Sequence, residues 1–228
     1  MNIALILSGG SGTRLGSDIP KQYIDVGGKP IIAYSIETFA ACKCIDAFVI
    51  ASADEWHDLI AGYLPKDKFC AFSEPGITRQ LSIYNGLIVM KSIIKDDDIV
   101  IIHDAARPLV SETIINKCVE TALLHDGALP VLPMKDTVYY SENRMSIASL
   151  LKREKVFAGQ APEAFKYGKY LKANEDLMPE GIMQINGSSE PAVIAGMQMA
   201  MINGDEKNFK ITTKEDLVRF EQIMGNIL

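Results

Sequence analysis

Residues 1–23 read MNIALILSGGSGTRLGSDIPKQY. An apolar run of branched side chains (3–7) breaks into four glycines within eight residues (9–16), with two isolated cations, Arg14 and Lys21, close behind. Such a run reads as a buried strand. Glycine lets the following backbone N–H groups converge on an anion. The stretch therefore serves either as a plain strand-to-helix turn or as a cradle for nucleotide phosphates. Two familiar phosphate loops are excluded: G-x-G-x-x-G would need glycine where Leu15 stands, and the G-K-[ST] of a P-loop is absent. Arg14 can fork onto phosphate oxygens and Lys21 can act as a compact charge, which favours the cradle.

The rest of the chain supplies the frame for this loop. Short runs at 47–52, 99–105 and 128–134 also read as strands, and helical spacing marks 30–42, 79–94 and 111–127. Ser111 is a candidate N-cap, and Thr213, three residues before Asp216, opens a closing helix. This alternation predicts an α/β fold with a mostly parallel central sheet and helices on both faces. Residues 136–165 read as a β-rich excursion around the turn former SENR. No repeat or flexible linker divides the chain, so 1–228 is expected to form a single domain. In open α/β sheets ligands bind beyond the carboxyl ends of the strands, where the first loop and the stretch after residue 102 both fall.

Composition narrows the chemistry. A net charge of −6 lacks the basic balance of a nucleic-acid binder, while a few cations in a cleft still suit a small anion. The apolar run at 3–7 is too short for a signal peptide, and nothing approaches a membrane span, which leads to the expectation of a cytoplasmic protein with no membrane partner. Cys42 and Cys44 form a C-x-C without a second pair or a nearby histidine, so reduced thiols are expected in place of a zinc site.

Two further motifs carry chemistry. IIHDAARP (101–108) ends a strand in charged groups that need partners. Asp104 suits a divalent metal or ribose hydroxyls, and Arg107 suits an anionic substrate. A structural Asp–Arg pair is the plainer alternative, and His103 reads as a core histidine with no catalytic role. GITRQLSIYNGL (76–87) sets Arg79 and Ser82 near a helix start.

Taken together, GGSGTRLGSDIPKQY, TRQLSIYNGL, HDAARP, KDTV (135–138), LLKREKVFAGQAPEAF (150–165) and NFKITTKEDL (208–217) resemble, in order, the cytidylyltransferases that make CDP-alditols. The resemblance implies a Rossmann-like nucleotidyltransferase fold with a protruding β-arm, here at about 136–158, that clasps a second copy in a homodimer. It implies transfer of CMP from CTP to an alditol phosphate, with release of pyrophosphate and with Mg²⁺ as cofactor. The acceptor expected first is 2-C-methyl-D-erythritol 4-phosphate, with ribitol 5-phosphate as the alternative. Carried over by position, Arg14, Lys21 and Lys210 are the catalytic cations. Gly9, Gly10, Ser11, Gly12 and Thr13 wrap the nucleotide, and Gly76, Arg79 and Ser82 border its base and ribose. Asp104 is the nucleotide- and Mg²⁺-associated carboxylate. Arg107, Thr137, Arg153 and Ser188 are assigned to the acceptor, with Lys210 also beside its phosphate.

The chain also departs from that pattern. SSEPA (188–192) has Ser189 in place of an aspartate, Ala161 stands where threonine is common, and Leu81 replaces a frequent aspartate. The nucleotide half is thus better preserved than the acceptor half. A non-catalytic nucleotide-binding module remains the alternative of another class.

Overall fold

The computed structural model describes residues 1–10 and 19–225. The chain begins with β1 (Asn2–Leu7), then a small antiparallel ribbon of β2 (Asp25–Val26) and β3 (Lys29–Pro30) that leads into α1 (Ile31–Ala41). β4 (Ala47–Ala51), α2 (His57–Ala61), β5 (Phe69–Ser73), α3 (Arg79–Met90), β6 (Ile99–Asp104), α4 (Glu112–Leu124) and β7 (Gly127–Pro133) follow in alternation. β8 (Val138–Tyr140) and β9 (Ser149–Leu151) make a separate hairpin. The chain closes with β10 (Phe157–Gly159), β11 (Glu163–Lys166), α5 (Tyr167–Glu175), α6 (Glu190–Ile194), β12 (Met199–Asn203) and α7 (Lys214–Gly225).

The central sheet runs β12-β7-β11-β6-β1-β4-β5, with β10 sharing the β11 edge of β7. β5, β4, β1 and β6 are parallel, whereas β10 and β11 run against their neighbours. The expected mostly parallel sheet is therefore present, and the excursion at 136–165 divides in two. Only 138–151 stands apart as a hairpin, while 157–159 and 163–166 re-enter the main sheet. Asn143 closes the hairpin turn, its Oδ1 accepting from the backbone of Met145 and Ser146 at 2.9 Å each.

Alternation along the strands sorts the core into two layers. Ala4, Ile6, Ile99 and Ile101 pack under α1 and α4 with Ile36, Phe39, Ile115 and Val119. Ile3, Leu5, Val100 and Ile102 face α3 and α5, meeting Ile83, Leu87, Phe165 and Tyr170. Helices thus cover both faces, which explains why β1 and β6 are almost continuously apolar. A third cluster of Ile31, Tyr34, Ile211 and Phe220 seats α7. Thr213 and Asp216 form the helix start read from the sequence. Thr213 Oγ1 accepts from Asp216 N at 3.2 Å, and Asp216 Oδ2 accepts from Thr213 N at 2.9 Å.

The chain leaves β1 for β4 on one side and later returns, through α3, to β6 on the other. The crevice between β1 and β6 is the topological switch point. Phe39 anchors the layer beneath this point, fully buried and 5.0 Å from the His103 ring. Phe39→Ala is expected to cost about 3–5 kcal/mol through the cavity it leaves, read as a lower urea midpoint with an unchanged slope.

Candidate active site

Three chain segments converge at the switch point. Leu7 and Asp104 are register partners at the carboxyl ends of β1 and β6. The HDAARP turn closes with Arg107 N bonded to Asp104 O at 2.9 Å, and Ile211 N bonds to Ala106 O at 2.8 Å. Arg107 Nη1 also donates to Asn208 O at 2.7 Å. These bonds stitch the distant NFKIT stretch onto the turn and bring Lys210 to Asp104.

The third segment is the start of α3. Thr78 caps it, its Oγ1 accepting from Leu81 N at 3.2 Å, and Gly76 N donates to Ser82 Oγ at 2.9 Å. Gly76 has no room for a side chain, since a Cβ there would lie 2.3 Å from Leu81 Cβ and 2.7 Å from the Leu81 carbonyl carbon. Gly9 is similarly confined, because its Cβ would come within 2.4 Å of Pro75. The two loops therefore pack directly on each other.

Asp104 is the electrostatic centre. Its Oδ1 accepts from Arg79 Nε at 3.1 Å and Nη2 at 3.0 Å, and its Oδ2 lies 3.0 Å from Lys210 Nζ and 3.7 Å from Arg107 Nε. Burial pushes this carboxyl up, but Arg79, Lys210 and Arg107 together outweigh burial and hold it well below the usual carboxylate range. One carboxylate among three cations leaves a positive excess. His103 is neutral: burial draws it down to about 4, while Nε2 bonds to Arg107 O at 3.1 Å. It steadies the turn and touches no cleft.

The cleft in front of this cluster measures about 450 Å³, within the usual range for a small-molecule site. Gly9, Gly10, Lys21, Gly76, Arg79, Ser82, Asp104 and Lys210, all expected from the sequence, line it. Ser11, Gly12, Thr13 and Arg14 lie outside the described residues. Arg107 sits behind Asp104, off the cleft wall. Ser188 is buried and donates to Glu163, and Thr137 and Arg153 belong to the exposed hairpin region, where Arg153 Nη1 donates to Lys135 O at 2.7 Å. Within this chain these three do not join the cleft.

Sequence reasoning missed Gln22 and Thr212, which also line it. Gln22 Nε2 donates to Ser8 O at 2.5 Å and Gly10 O at 2.8 Å, fixing the root of the glycine loop. Its signal was present in Pro-Lys-Gln, where only the lysine was weighed. Lys21 Nζ donates to Ile211 O at 2.6 Å, which ties Lys21 to the Lys210 segment.

The fit to Mg²⁺ can be judged from the donors. Among the described residues, Asp104 is the single acidic residue on the cleft wall, and no cluster of three or more His, Cys, Asp or Glu suited to a metal occurs. Mg²⁺ commonly uses one or two carboxylates and takes its remaining ligands from phosphates and water, so Asp104 fits a nucleotide-borne ion.

Residues 2–226 match the family described as IspD: 2-C-methyl-D-erythritol 4-phosphate cytidylyltransferase. The chain belongs to the IspD family. It is 36% identical over 224 residues to the 2-C-methyl-D-erythritol 4-phosphate cytidylyltransferase of Geobacter metallireducens, covering 96% of this chain and 95% of that one. It is 31% identical over 227 residues to the ribitol-5-phosphate cytidylyltransferase of Streptococcus agalactiae serotype V, covering 98% and 95%. The solved IspD structure of Francisella tularensis superposes with a TM-score of 0.82 at 27% identity, covering 97% of this chain and 98% of that one. As a member of the IspD family the protein is a nucleotidyltransferase, and the resemblance read from its motifs is borne out.

Because Asp104 is held below its ordinary range, its contribution to stability is full above about pH 4 and falls as the pH drops towards its folded value. Asp104→Asn is expected to lose about 3–5 kcal/mol at pH 7, since three cations are left without their partner. The gap to the parent should narrow below pH 4. Denaturant titrations at a series of pH values test this, and a gap constant from pH 7 to pH 3 would contradict it.

Proposed function

We propose that the cleft binds CTP and an alditol phosphate together, and that CMP passes to the acceptor with release of pyrophosphate. The observation carrying this reading is the over-compensated Asp104 cluster, with Lys21 and Lys210 beside a glycine loop at the sheet's switch point. The family description and the Geobacter relative support 2-C-methyl-D-erythritol 4-phosphate as the acceptor. The Streptococcus relative supports a second reading, ribitol 5-phosphate.

In this mechanism an oxygen of the acceptor's phosphate attacks the α-phosphorus of CTP in line. The new P–O bond forms as the bond from the α-phosphorus to the bridging oxygen breaks, and pyrophosphate carries away the electron pair. A phosphate monoester is already anionic, so no side chain has to act as a strong base. The protein's task is to bring two polyanions together and to offset the charge of the transition state. Backbone N–H groups of Gly9 and Gly10 and the ammonium of Lys21 face the phosphates, with Arg14 assigned the same duty. Ser82 and Arg79 border the nucleoside, and Lys210 stands between Asp104 and the acceptor phosphate. Arg107 holds Asp104 and the Asn208 carbonyl from behind. Asp104, with the phosphates, would hold Mg²⁺, which when bound supplies further charge neutralisation.

The hairpin completes the proposal. Tyr139, Tyr140, Met145, Ile147 and Leu150 are more than half exposed, an apolar surface suited to a second copy of this chain. We take 1–228 as one domain whose arm, at about 136–158, clasps its counterpart in a homodimer. Thr137 and Arg153 would then serve the neighbour's cleft, and Ser188 would order the acceptor side indirectly. No helix of the described residues is long and apolar enough to cross a membrane. We take the partners to be the two small-molecule substrates and the setting to be cytoplasmic, as the family activity supports.

Pyrophosphate release from CTP, measured with a panel of methylerythritol 4-phosphate, ribitol 5-phosphate and glycerol 3-phosphate with and without Mg²⁺, tests the assignment. Turnover with none of them would reject it. Lys21→Ala is expected to reduce turnover at least tenfold, about 1.4 kcal/mol or more of transition-state stabilisation, with a cooperative melt retained. Near-normal turnover in that variant would remove Lys21 from the catalytic set.

A further inference from the structure

A second buried carboxyl lies behind the cleft, outside the roles assigned above. Glu163 of β11 is the register partner of Ile102 on β6, so its side chain stands on the same sheet face as Ile102 and Asp104. That face is covered by α3, which begins at Arg79. Glu163 is only 9% exposed. Ser188 Oγ donates to its Oε1, and Oε2 is buried without a hydrogen-bond partner among the described residues.

The surroundings of Glu163 are tied to Arg79 by a polar seam. Gln80, adjacent to Arg79, donates through Nε2 to Tyr170 Oη at 3.0 Å and Asn174 Oδ1 at 2.6 Å. Tyr170 Oη donates to Ser188 O at 2.6 Å, which sets the serine against Glu163. Burial pushes the Glu163 carboxyl up and Asp104 adds to the rise, whereas Ser188, Ser189 and the charge of Arg79 pull against it. Arg79 is within electrostatic reach of both carboxyls and, among the described residues, pairs directly with Asp104. A buried carboxylate oxygen without a partner is costly, so its presence calls for an explanation.

Asp104 has a conflict that Glu163 resolves. Its two oxygens already serve Arg79, Lys210 and Arg107, and any contact with a nucleotide or its ion must compete with them. We propose that Glu163 is a positioning residue for Arg79, holding its guanidinium over the cleft when Asp104 turns to the nucleotide. This rests on the reading of the cleft as a CTP site. It also accounts for Ser189: an aspartate there would set a second negative charge beside Glu163, and a hydroxyl avoids that repulsion.

The test is CTP binding to the full chain by calorimetry with Mg²⁺ present, for the parent, Glu163→Gln, Arg79→Lys and the double variant. Glutamine keeps the shape and the Ser188 contact but removes the charge. Glu163→Gln is expected to weaken CTP about tenfold, as for a lost charge-assisted hydrogen bond. KM for CTP should follow, with kcat within about threefold and an unchanged melting temperature. The double variant should be no weaker than Arg79→Lys alone by more than about twofold, because both changes remove one interaction. Affinity within twofold of the parent in Glu163→Gln, or effects that multiply in the double variant, would overturn the proposal while leaving the CTP site intact. A parent that binds no CTP would instead overturn the reading of the cleft, and this inference with it. Should Glu163→Gln fail to melt cooperatively, Ser188→Ala carries the same expectation at about threefold, and unchanged affinity there would be equally fatal.

Discussion

The contact of Asp104 with Arg79, Lys210 and Arg107 is the constraint on which the site depends. Taking a carboxylate out of water is expensive unless charge and hydrogen bonds compensate it. Here the compensation is excessive, and each cation arrives on a different piece of chain. Arg79 comes from the first turn of α3, Arg107 from the turn after β6, and Lys210 from the segment before α7. Losing the carboxylate would leave three neighbouring cations without their shared partner, so the cluster steadies the cleft as well as setting its charge.

That charge suits the cleft to anions. A chain of net charge −6 gathers cations around one crevice at the carboxyl ends of β1 and β6. A polyanion entering there replaces mutual repulsion among the cations with contacts to phosphate oxygens. Gly9 and Gly10 line the cleft, and Gln22 ties Gly10 to the end of β1 through its bonds to Ser8 O and Gly10 O. Neutral His103, packed on Phe39, adds no charge to the cluster and serves the turn alone.

The layer behind the cleft is built by a different principle. Ser188, Glu163, Tyr170, Gln80 and Asn174 form a buried polar seam in which each group except one carboxylate oxygen finds a partner. Such seams fix geometry at low dielectric, because any departure exposes an unpaired group to an apolar core. The departures at Ser189 and Leu81 fall beside Glu163 and Gly76 respectively, where local packing and charge set what fits.

By itself, the sequence determined the alternating strand–helix order, the glycine loop, the closing helix at Thr213 and most of the cleft wall. Those features have local causes: branched apolar runs, capping side chains, glycines and cations at strand ends. β11 was hidden because Glu163 interrupts the apolar pattern of EAFK, and β12, MAMIN, has few of the branched residues that mark a strand. Only the tertiary structure decided that Lys210 and Arg107 meet one carboxylate, that Ser188 is a buried support, and that Glu163 shares a sheet face with Asp104. Those pairings join residues as many as 106 positions apart, and long-range partners are chosen by the packing of layers that no local stretch of chain encodes.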